Sequence, residues 1–456
     1  MTEKSRAMEP VVDVPHPAVA GPISRADERP ARLPGEIWVL VVTAFLVAIG
    51  YGLVSPALPS FARTFGVGIS AASAVVSAFA VFRLGFAPVS GKLVNVFGER
   101  RIFVVGLLVV AGSTGACAVA HTYWQLLAFR AVGGIGSTMF TVSALSLLIK
   151  LSPPAQRGRA SGLWGTGFLL GSITGPLFGG GLVAVSLRAP FVVYAVVLVI
   201  TAVVGAVFLS RSTLSPVLLD DGGSELTLRA ALRIRAYRAA LVGNFTNGWL
   251  NYGVRVALIP LFVVEVLGQK PSWAGIALTV FAAGNATSLM VSGRWADQRG
   301  RRPPILLGLL ISAMATGSLG WITSLPLFIV VSLLGGLGGG LINPPLNAVV
   351  ADVIGSRGRG GPVLAGFQMV ADLGTIIGPV LAGVIAEGTS YGVAFAVSGT
   401  VALLALGVWS RAPETLSAPE PSRTPHSRAS GTPKDSGALD PTQAVADPGS
   451  GSRLEM

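Results

Sequence analysis

Long apolar runs separated by short polar loops make up most of the chain. A helix needs about 20 mostly apolar residues to cross a bilayer. Runs of that length predict membrane-spanning helices over residues 37–58, 70–91, 102–121, 125–149, 160–184, 190–209, 238–264, 273–294, 304–324, 327–350, 361–386 and 390–410. Because six runs precede the hydrophilic segment 211–236 and six follow it, we predict an all-α membrane protein with twelve transmembrane helices in two six-helix halves.

A repeated signature supports this division. The segment GKLVNVFGERR begins at Gly91, and GRWADQRGRR begins 202 residues later at Gly293. Further landmarks recur at nearly the same offset: Gly133-Gly134-Ile135-Gly136 with Gly335-Gly336-Leu337-Gly338, Gly175-Pro176 with Gly378-Pro379, and Pro59 with Pro260. The period far exceeds the roughly 20 to 50 residues of solenoid and propeller units. It therefore predicts two pseudo-symmetric halves.

The composition excludes several classes of protein. Hydrophobic residues make up 52% of the chain and charged residues 12%, which would leave a water-soluble domain with large exposed apolar patches. The net charge of +12 lies mainly in arginines of short loops, so we expect no nucleic acid partner. The single cysteine, Cys117, lies inside an apolar run and forms no zinc-binding pattern. We expect neither a metal nor a cofactor.

Lysine and arginine in short loops predict the orientation of the helices. One side of the predicted membrane carries seventeen of them: Lys92, Arg100, Arg101, Lys150, Arg157, Arg159, Arg211, Arg229, Arg233, Arg235, Arg238, Arg294, Arg299, Arg301, Arg302, Arg357 and Arg359. The other side carries three: Arg63, Arg188 and Lys270. This asymmetry places both termini in the cytoplasm. With 28 Arg against 5 Lys and much Ala and Gly, the composition resembles that of a high-GC bacterium, so we expect the protein in a bacterial inner membrane.

The predicted organisation has five parts. We expect a disordered cytoplasmic tail over 1–35, six-helix halves over 36–210 and 237–411, a cytoplasmic linker over 211–236 and a disordered tail over 412–456. The tails hold too few apolar residues to offset the entropy of ordering, and residues 1–35 lack the pattern of a secretory signal. Leucines and arginines interleave in 225–238, which predicts either an amphipathic helix on the inner leaflet or a plain polar linker.

Four motifs, in the correct order, resemble the major facilitator superfamily over Ile37 to Arg411. The two repeated segments resemble its cytoplasmic loop motif through Gly91, Asn95, Gly98, Arg100, Arg101, Gly293, Asp297, Gly300 and Arg301. The sequence FRAVGGIG, with Arg130, resembles its fourth-helix motif, and GTGFLLGSITGPLFGG resembles the fifth-helix motif of its proton-coupled exporters. The stretch GYGLVSPALPSF resembles the drug/proton antiporter branch with twelve spans. The resemblance implies the major facilitator fold and transport activity.

The loop motif has two interpretations. Its acid can sit near a helix N-terminus or an arginine and lock the cytoplasmic side shut. Asp297 can do this, whereas Asn95 in the first copy offers only hydrogen bonds. Alternatively, both loops merely fix topology with positive charge.

The fifth-helix motif predicts close helix packing. Gly167, Gly171 and Gly175 recur every four residues, so they form a small-residue face on which another helix backbone can approach. Pro176 can kink the helix. In the family this packing also seals the route between the halves.

Four ionisable residues fall inside predicted spans, where a charge costs roughly 2.5 to 3.5 kcal/mol or more: Arg83, Arg130, Arg255 and Asp372. Asp372 lies near the midplane, so we predict that it is the principal proton-responsive carboxylate, with Arg83 and Arg255 as candidate partners. The resemblance implies a coupling role for Arg130. A purely structural salt bridge remains the alternative.

Polar residues form stripes in three spans of the second half. They are Asn244, Asn247, Asn251 and Arg255 in span seven, Asn343 and Asn347 in span ten, and Gln368, Asp372 and Thr375 in span eleven. Three stripes favour the wall of a substrate cavity, together with Arg83, although interhelical hydrogen bonds explain any single one. With three arginines against one carboxylate, we expect a neutral or anionic small-molecule substrate.

These observations predict a monomeric secondary transporter that exports small organic molecules, drugs or metabolites, by proton antiport. A proton-coupled importer on the same fold is the alternative. We expect no enzyme, because the histidines lie in tails or a loop and no phosphate-binding loop precedes a helix.

The predicted orientation is testable with reporter fusions after Arg211 and Arg411. Because positively charged loops stay in the cytoplasm, both fusions should report a cytoplasmic location, as measured with paired phosphatase and fluorescent-protein reporters. A periplasmic signal from either fusion would contradict the span assignment.

Overall fold

The computed structural model describes residues 33–153, 156–209, 226–355 and 360–416, and these ranges contain helices and no strands. The helices of the first half are α1 Gly35–Val54, α2 Ile69–Phe97, α3 Glu99–Ala118, α4 Tyr123–Leu151, α5 Arg157–Val185 and α6 Ala189–Leu209. In the second half, α7 comprises Arg235–Asn247, Gly248–Val254 and Arg255–Glu265. It is followed by α8 Ser272–Arg299, α9 Arg302–Leu319, α10 Leu325–Ile354, α11 Gly361–Gly388 and α12 Tyr391–Ser410. Short helices Leu58–Arg63 and Leu228–Ala231 precede α2 and α7.

The twelve helices confirm the predicted fold class. Eleven are long and apolar enough to cross a membrane on their own. The twelfth, α7, changes to a π-helix over Gly248–Val254. Such wide turns are rare and occur mostly at functional sites. The sequence did not predict this segment, because its apolar period alone looks helical.

Several helices extend past the predicted spans. Helix α2 continues to Phe97 and α10 to Ile354, so both project beyond the apolar stretch at the end that carries the loop motifs. Of the two alternatives for 225–238, the amphipathic helix is not formed over the residues described there. Leu228–Ala231 forms one helical turn and Arg235 already begins α7. The interleaved apolar residues serve protein packing instead, since Ala231, Ala236 and Tyr237 are buried.

The sequence repeat corresponds to repeated packing. A methyl group added to Gly134 would lie 2.2 Å from the carbonyl oxygen of Phe79, and one added to Gly336 would lie 2.1 Å from that of Phe281. Phe281 follows Phe79 by the same 202 residues that separate Gly91 from Gly293. The glycines therefore bring α4 onto α2 and α10 onto α8 in the same way.

The two halves meet at the end of the bundle that the arginine distribution predicts to face outward, called the outer end below. Helix α5 meets α8 there, since a methyl group on Gly180 would lie 3.1 Å from the Cα atom of Gly275. Helix α11 meets α2, since a methyl group on Gly383 would lie 3.0 Å from the Cβ atom of Ser73. These two contacts are related by the repeat, and they close the outer end. The two halves are thus in contact at the outer end.

The predicted tails lie almost wholly outside the described residues, as does most of the linker. The six-helix boundaries 36–210 and 237–411 remain a prediction as domain limits.

The outer closure predicts a specific cross-link. In a background without the native cysteine (Cys117→Ser), the pair Ser73→Cys and Gly383→Cys should form a disulfide, because the Cβ positions need only a shift of a few tenths of an ångström to reach the usual separation of about 3.5 to 4.5 Å. Oxidation should abolish transport and dithiothreitol should restore it, as measured by uptake in vesicles. Full transport by the oxidised protein would mean that this contact does not open, and Ser73→Cys alone is the control for oxidation.

Candidate transport site

The centre of the structure contains an ion pair between the two halves. The Nη2 atom of Arg83 on α2 lies 2.6 Å from the Oδ1 atom of Asp372 on α11. Gln368 lies one turn away from Asp372 on α11. Thr138 on α4 donates to the carbonyl oxygen of Arg83 at 2.7 Å and holds this part of α2 in place. Of the two partners predicted for Asp372, Arg83 is therefore the one in contact.

Asp372 holds a unique position among the carboxylates of the described residues. It is the one that lies more than one turn from a helix end. The others are Glu36, Glu99, Glu265, Asp297, Asp352, Glu387 and Glu414. Its side chain is 12% exposed and that of Arg83 is 34% exposed, so neither group is completely buried.

The other two membrane arginines lie over aromatic rings. The guanidinium of Arg130 lies 4.3 Å from the ring centre of Phe79, and that of Arg255 lies 3.9 Å from the ring centre of Phe281. Both arginines are buried, and neither Nε atom has a hydrogen-bond partner. A desolvated cation gains about 2 kcal/mol or more over such a ring.

The prediction that Arg255 is a partner of Asp372 is wrong in this conformation. Arg255 points toward α8 and α10, where its Nη2 atom packs beside Gly335. The ring of Phe281 supplies the compensation that a carboxylate was expected to give. Arg130 keeps the coupling role as a prediction, and it also lies 6.0 Å from the ring centre of Tyr51 on α1.

The predicted polar stripe of α7 does not face one cavity. Asn244 donates to the carbonyl oxygen of Phe367 on α11 at 2.7 Å, and Asn247 donates to Asn343 on α10 at 3.0 Å. Asn251 donates to Asn247 at 2.7 Å. The π-helical turns change the angle between successive residues, so spacings of three and four no longer fall on one face. Asn244, Asn247 and Arg255 are buried between helices in this conformation.

Other polar residues of these three helices are exposed or half-buried. Asn347 and Gln368 are exposed, and Asn343 and Asn251 are half-buried. Tyr252, in the π-helical segment, is 46% exposed. Sequence reasoning missed Tyr252, although its position beside Asn251 was a usable signal. Thr375 lies behind this surface and donates to the carbonyl oxygen of Ala371 on its own helix at 3.1 Å.

Each cytoplasmic loop motif contains an ion pair, and the two pairs have opposite polarity. In the first half, Lys150 at the end of α4 pairs with Glu99 at the start of α3. In the second half, Asp352 at the end of α10 pairs with Arg301, at the start of α9, at 3.2 Å. Both residues of the second pair follow those of the first by 202 residues. The repeat thus retains the attraction and exchanges the charges.

This exchange of charges explains why the first motif has Asn95 where the second has an acid, Asp297. Asp297 pairs with Arg301 one turn further along the chain. By the repeat, an acid at position 95 would lie beside Glu99 as Asp297 lies beside Arg301, and two like charges at that distance repel. Asp297 and Arg301 belong to the same half, so in this conformation they do not lock the two halves together as predicted for the motif. Asn95 is exposed.

The second glycine of each loop motif forms a turn, and the turn in the second half is capped. Gly98 and Gly300 adopt φ of 84° and 100°, in a region that favours glycine. Glu414 accepts hydrogen bonds from the backbone N–H groups of Arg301 at 2.7 Å and Arg302 at 3.0 Å. Although partial burial disfavours the charge of Glu414, these donors lower the pKa of its carboxyl below the usual value. The remaining members, Gly91, Arg100, Arg101 and Gly293, lie at the same end of the bundle.

The fifth-helix glycines pack within one half. Methyl groups on Gly167, Gly171 and Gly175 would lie 2.8, 2.4 and 2.5 Å from carbonyl oxygens of α1. Pro176, inside α5, packs against Gly52 of α1. These three glycines contact only α1 of the same half, whereas Pro176 and Gly180 of the same motif meet the other half, since a methyl group on Gly275 of α8 would lie 2.5 Å from the carbonyl oxygen of Pro176.

Comparison with known proteins identifies the family. A family model described as the Major Facilitator Superfamily matches residues 40–268 and 240–444. The tetracycline resistance protein, class C, of Escherichia coli is 27% identical over 405 residues, which cover 83% of this chain and 98% of that protein. The quinolone resistance protein NorA of Staphylococcus aureus is 24% identical over 359 residues, covering 77% and 89%. Multidrug resistance protein 1 of Bacillus subtilis is 24% identical over 386 residues, covering 83% and 97%.

A solved structure shows the same fold. A bacterial homologue of the human lysosomal transporter Spinster, in an inward-facing and occupied conformation, matches with a TM-score of 0.68. The match covers 82% of this chain and 95% of that one at 16% identity.

The opposite polarity of the loop ion pairs can be tested by giving the second half the charges of the first. Arg301→Glu alone should destabilise the protein by about 2 kcal/mol, because Glu would then face Asp352 and Asp297 in a half-buried site. The triple variant Asp297→Asn, Arg301→Glu and Asp352→Lys reproduces the first-half arrangement and should recover most of the loss. Thermal unfolding in detergent measures both. A triple variant as unstable as Arg301→Glu would show that the second half depends on its own polarity.

Proposed function

Because the chain belongs to the major facilitator superfamily, we propose that this membrane transporter exports small organic molecules in exchange for protons by alternating access. The observation that carries the proposal is the ion pair of Arg83 and Asp372, which joins the halves at 2.6 Å in the middle of the bundle. The halves rock about this region. We propose that both termini are cytoplasmic and that the bacterial inner membrane is the location.

Protonation of Asp372 is the proposed coupling step. Ionised Asp372 holds α11 to Arg83 on α2, and a proton on the carboxylate removes that attraction. Polar contacts join α2 to α11 at Ser70, Ser77 and Arg83, and the ion pair of Arg83 with Asp372 is the innermost of the three. Its loss therefore favours separation of the halves. Arg130, buried over Phe79 on α2 beside this site, is the proposed second coupling residue.

The direction of coupling depends on which partner the substrate engages. A neutral substrate that donates a hydrogen bond to Asp372 stabilises the ionised carboxylate and expels the proton, which is the linkage that antiport requires. An anionic substrate that pairs with Arg83 breaks the contact of Arg83 with Asp372. The unpaired Asp372 then binds a proton together with the substrate. An anionic substrate thus favours the alternative function, proton symport. We propose a neutral substrate for the exporter.

The proposed substrate surface consists of the accessible polar side chains near this pair. Asn251, Asn343, Asn347 and Gln368 present amides, and Tyr252 adds an aromatic hydroxyl. Amide groups both donate and accept hydrogen bonds, which suits neutral polyfunctional molecules. The named functions of the relatives, tetracycline and quinolone resistance, make these two drug classes the first candidates. Susceptibility of a pump-deficient bacterial host expressing the protein tests both.

Asp372→Asn tests the coupling. This substitution removes the charge and keeps the shape, so in proteoliposomes a pH gradient should no longer drive drug accumulation, with a loss of about tenfold or more, whereas counterflow without a gradient should persist. Transport of a drug selected by the susceptibility screen provides the measurement.

Glu36→Gln is the matched control, because it makes the same change of carboxylate to amide at the start of α1, far from the pair. It should leave pH-driven transport unchanged. If Asp372→Asn retains full pH-driven transport, Asp372 is structural and coupling resides elsewhere.

A further inference from the structure

The outer end contains a second ion pair between the halves. Arg63 is the last residue of the short helix before α2, and its Nε atom lies 2.9 Å from the Oε1 atom of Glu265, the last residue of α7. The other carboxylate oxygen of Glu265 accepts a hydrogen bond from the hydroxyl of Tyr391 on α12 at 2.7 Å. Both oxygens of Glu265 are thus occupied, one by each half, and the orientation of the carboxylate is fixed.

The two partners are repeat equivalents. Arg63 and Glu265 are separated by 202 residues, the offset that relates the two loop motifs. Equivalent residues that touch across a two-fold relation lie on the axis itself. In two identical halves the same residue would occupy both positions, and two like charges there would repel. The opposite charges of Arg63 and Glu265 attract because the two halves differ at this position.

A second carboxylate reinforces this end. Glu387, near the end of α11, accepts hydrogen bonds from the backbone N–H group of Ser70, at 2.9 Å, and from its hydroxyl. Arg63 also attracts Glu387 electrostatically. One arginine of the first half thus lies between two acids of the second half. Neither acid has a partner in its own half that would replace Arg63, since Tyr391 is neutral.

We propose that Arg63 and Glu265 form the outer gate of the transport cycle, with Tyr391 positioning the carboxylate of Glu265. The pair stabilises the inward-facing state, because it exists only while the outer ends of the halves touch. It must break each time the protein opens outward, so its strength sets the population of the outward-facing state. This inference rests on the proposed alternating access and does not depend on the coupling role of Asp372.

The test measures outward opening directly. Ser77 on α2 is 3% exposed and donates to the carbonyl oxygen of Ile376 on α11 at 2.7 Å, about two turns inward of Ser70. In a Cys117→Ser background, a Ser77→Cys thiol should react with a membrane-impermeant maleimide from outside only when the outer end opens. Glu265→Gln and Arg63→Gln should each raise the labelling rate about threefold to tenfold, as expected for loss of a half-exposed ion pair with an extra hydrogen bond.

Two further variants separate gating from unfolding. Arg63→Glu should raise the rate, and adding Glu265→Arg should return it to the background value, because the pair is restored with its charges exchanged. Tyr391→Phe retains both charges and should give a smaller increase. Size-exclusion chromatography confirms that each variant is folded.

Arg188→Gln is the matched control. Arg188 is also a cation at the outer end, but it contacts only its own half, lying 5.5 Å from the ring centre of Phe61 and donating to the carbonyl oxygen of Ala120 at 3.3 Å. Its removal should leave labelling unchanged. Equal labelling of all gate variants and the background, or no recovery in the charge-exchanged pair, would overturn the proposal. The assay needs no substrate and no proton gradient, so failure of proton coupling would not affect it.

Discussion

An ionised side chain inside a bilayer must find compensation within the protein, and this constraint governs the interior of the molecule. Three arginines and one aspartate lie deep in the helices, and a charge there costs several kcal/mol when it is isolated. Arg83 and Asp372 compensate each other across the halves. Arg130 and Arg255 instead lie over Phe79 and Phe281, whose rings attract cations without adding an ionised partner. Among these four deep charges, the pair that a proton can break is therefore one that joins the halves.

The repeat shows how two copies of one unit acquired different electrostatics. Phe79 and Phe281 are equivalent rings, yet the arginine above the first comes from α4 and the one above the second from α7. Equivalent loop positions carry Glu99 in the first half and Arg301 in the second, each with an opposite charge nearby. In the first case the interaction recurs although another helix supplies the arginine, and in the second the positions recur with their charges exchanged. Geometry is set by small residues that let helix backbones touch, whereas charges need only a local partner.

The sequence predicts the helices and the two halves, because long apolar runs are a strong signal. It also predicts an arginine partner for Asp372, because charges inside predicted spans stand out, and Arg83 is one of the two candidates. The sequence cannot predict which of the two arginines, Arg83 or Arg255, pairs with Asp372. That choice depends on the π-helical turns at Gly248–Val254, which a period of apolar residues does not reveal and which carry Arg255 onto Phe281. The sequence also did not predict that Glu99 pairs with Lys150, because the two residues lie far apart in sequence and the family's acid is expected at position 95, where this chain has Asn95.

The contacts between α2 and α11 form one seam from the outer end to the middle of the bundle. Ser70 meets Glu387, Ser73 meets Gly383, Ser77 meets the carbonyl of Ile376 and Arg83 meets Asp372. The helices run antiparallel, so these contacts follow one another at successive depths along about 20 Å of α2. Separation of the halves at the outer end must open the seam in this order, and Asp372 comes last. A carboxylate at the inner end of the seam is thus shielded from the outer solution until the outer contacts have broken, which is the separation of access that a proton-coupled cycle requires.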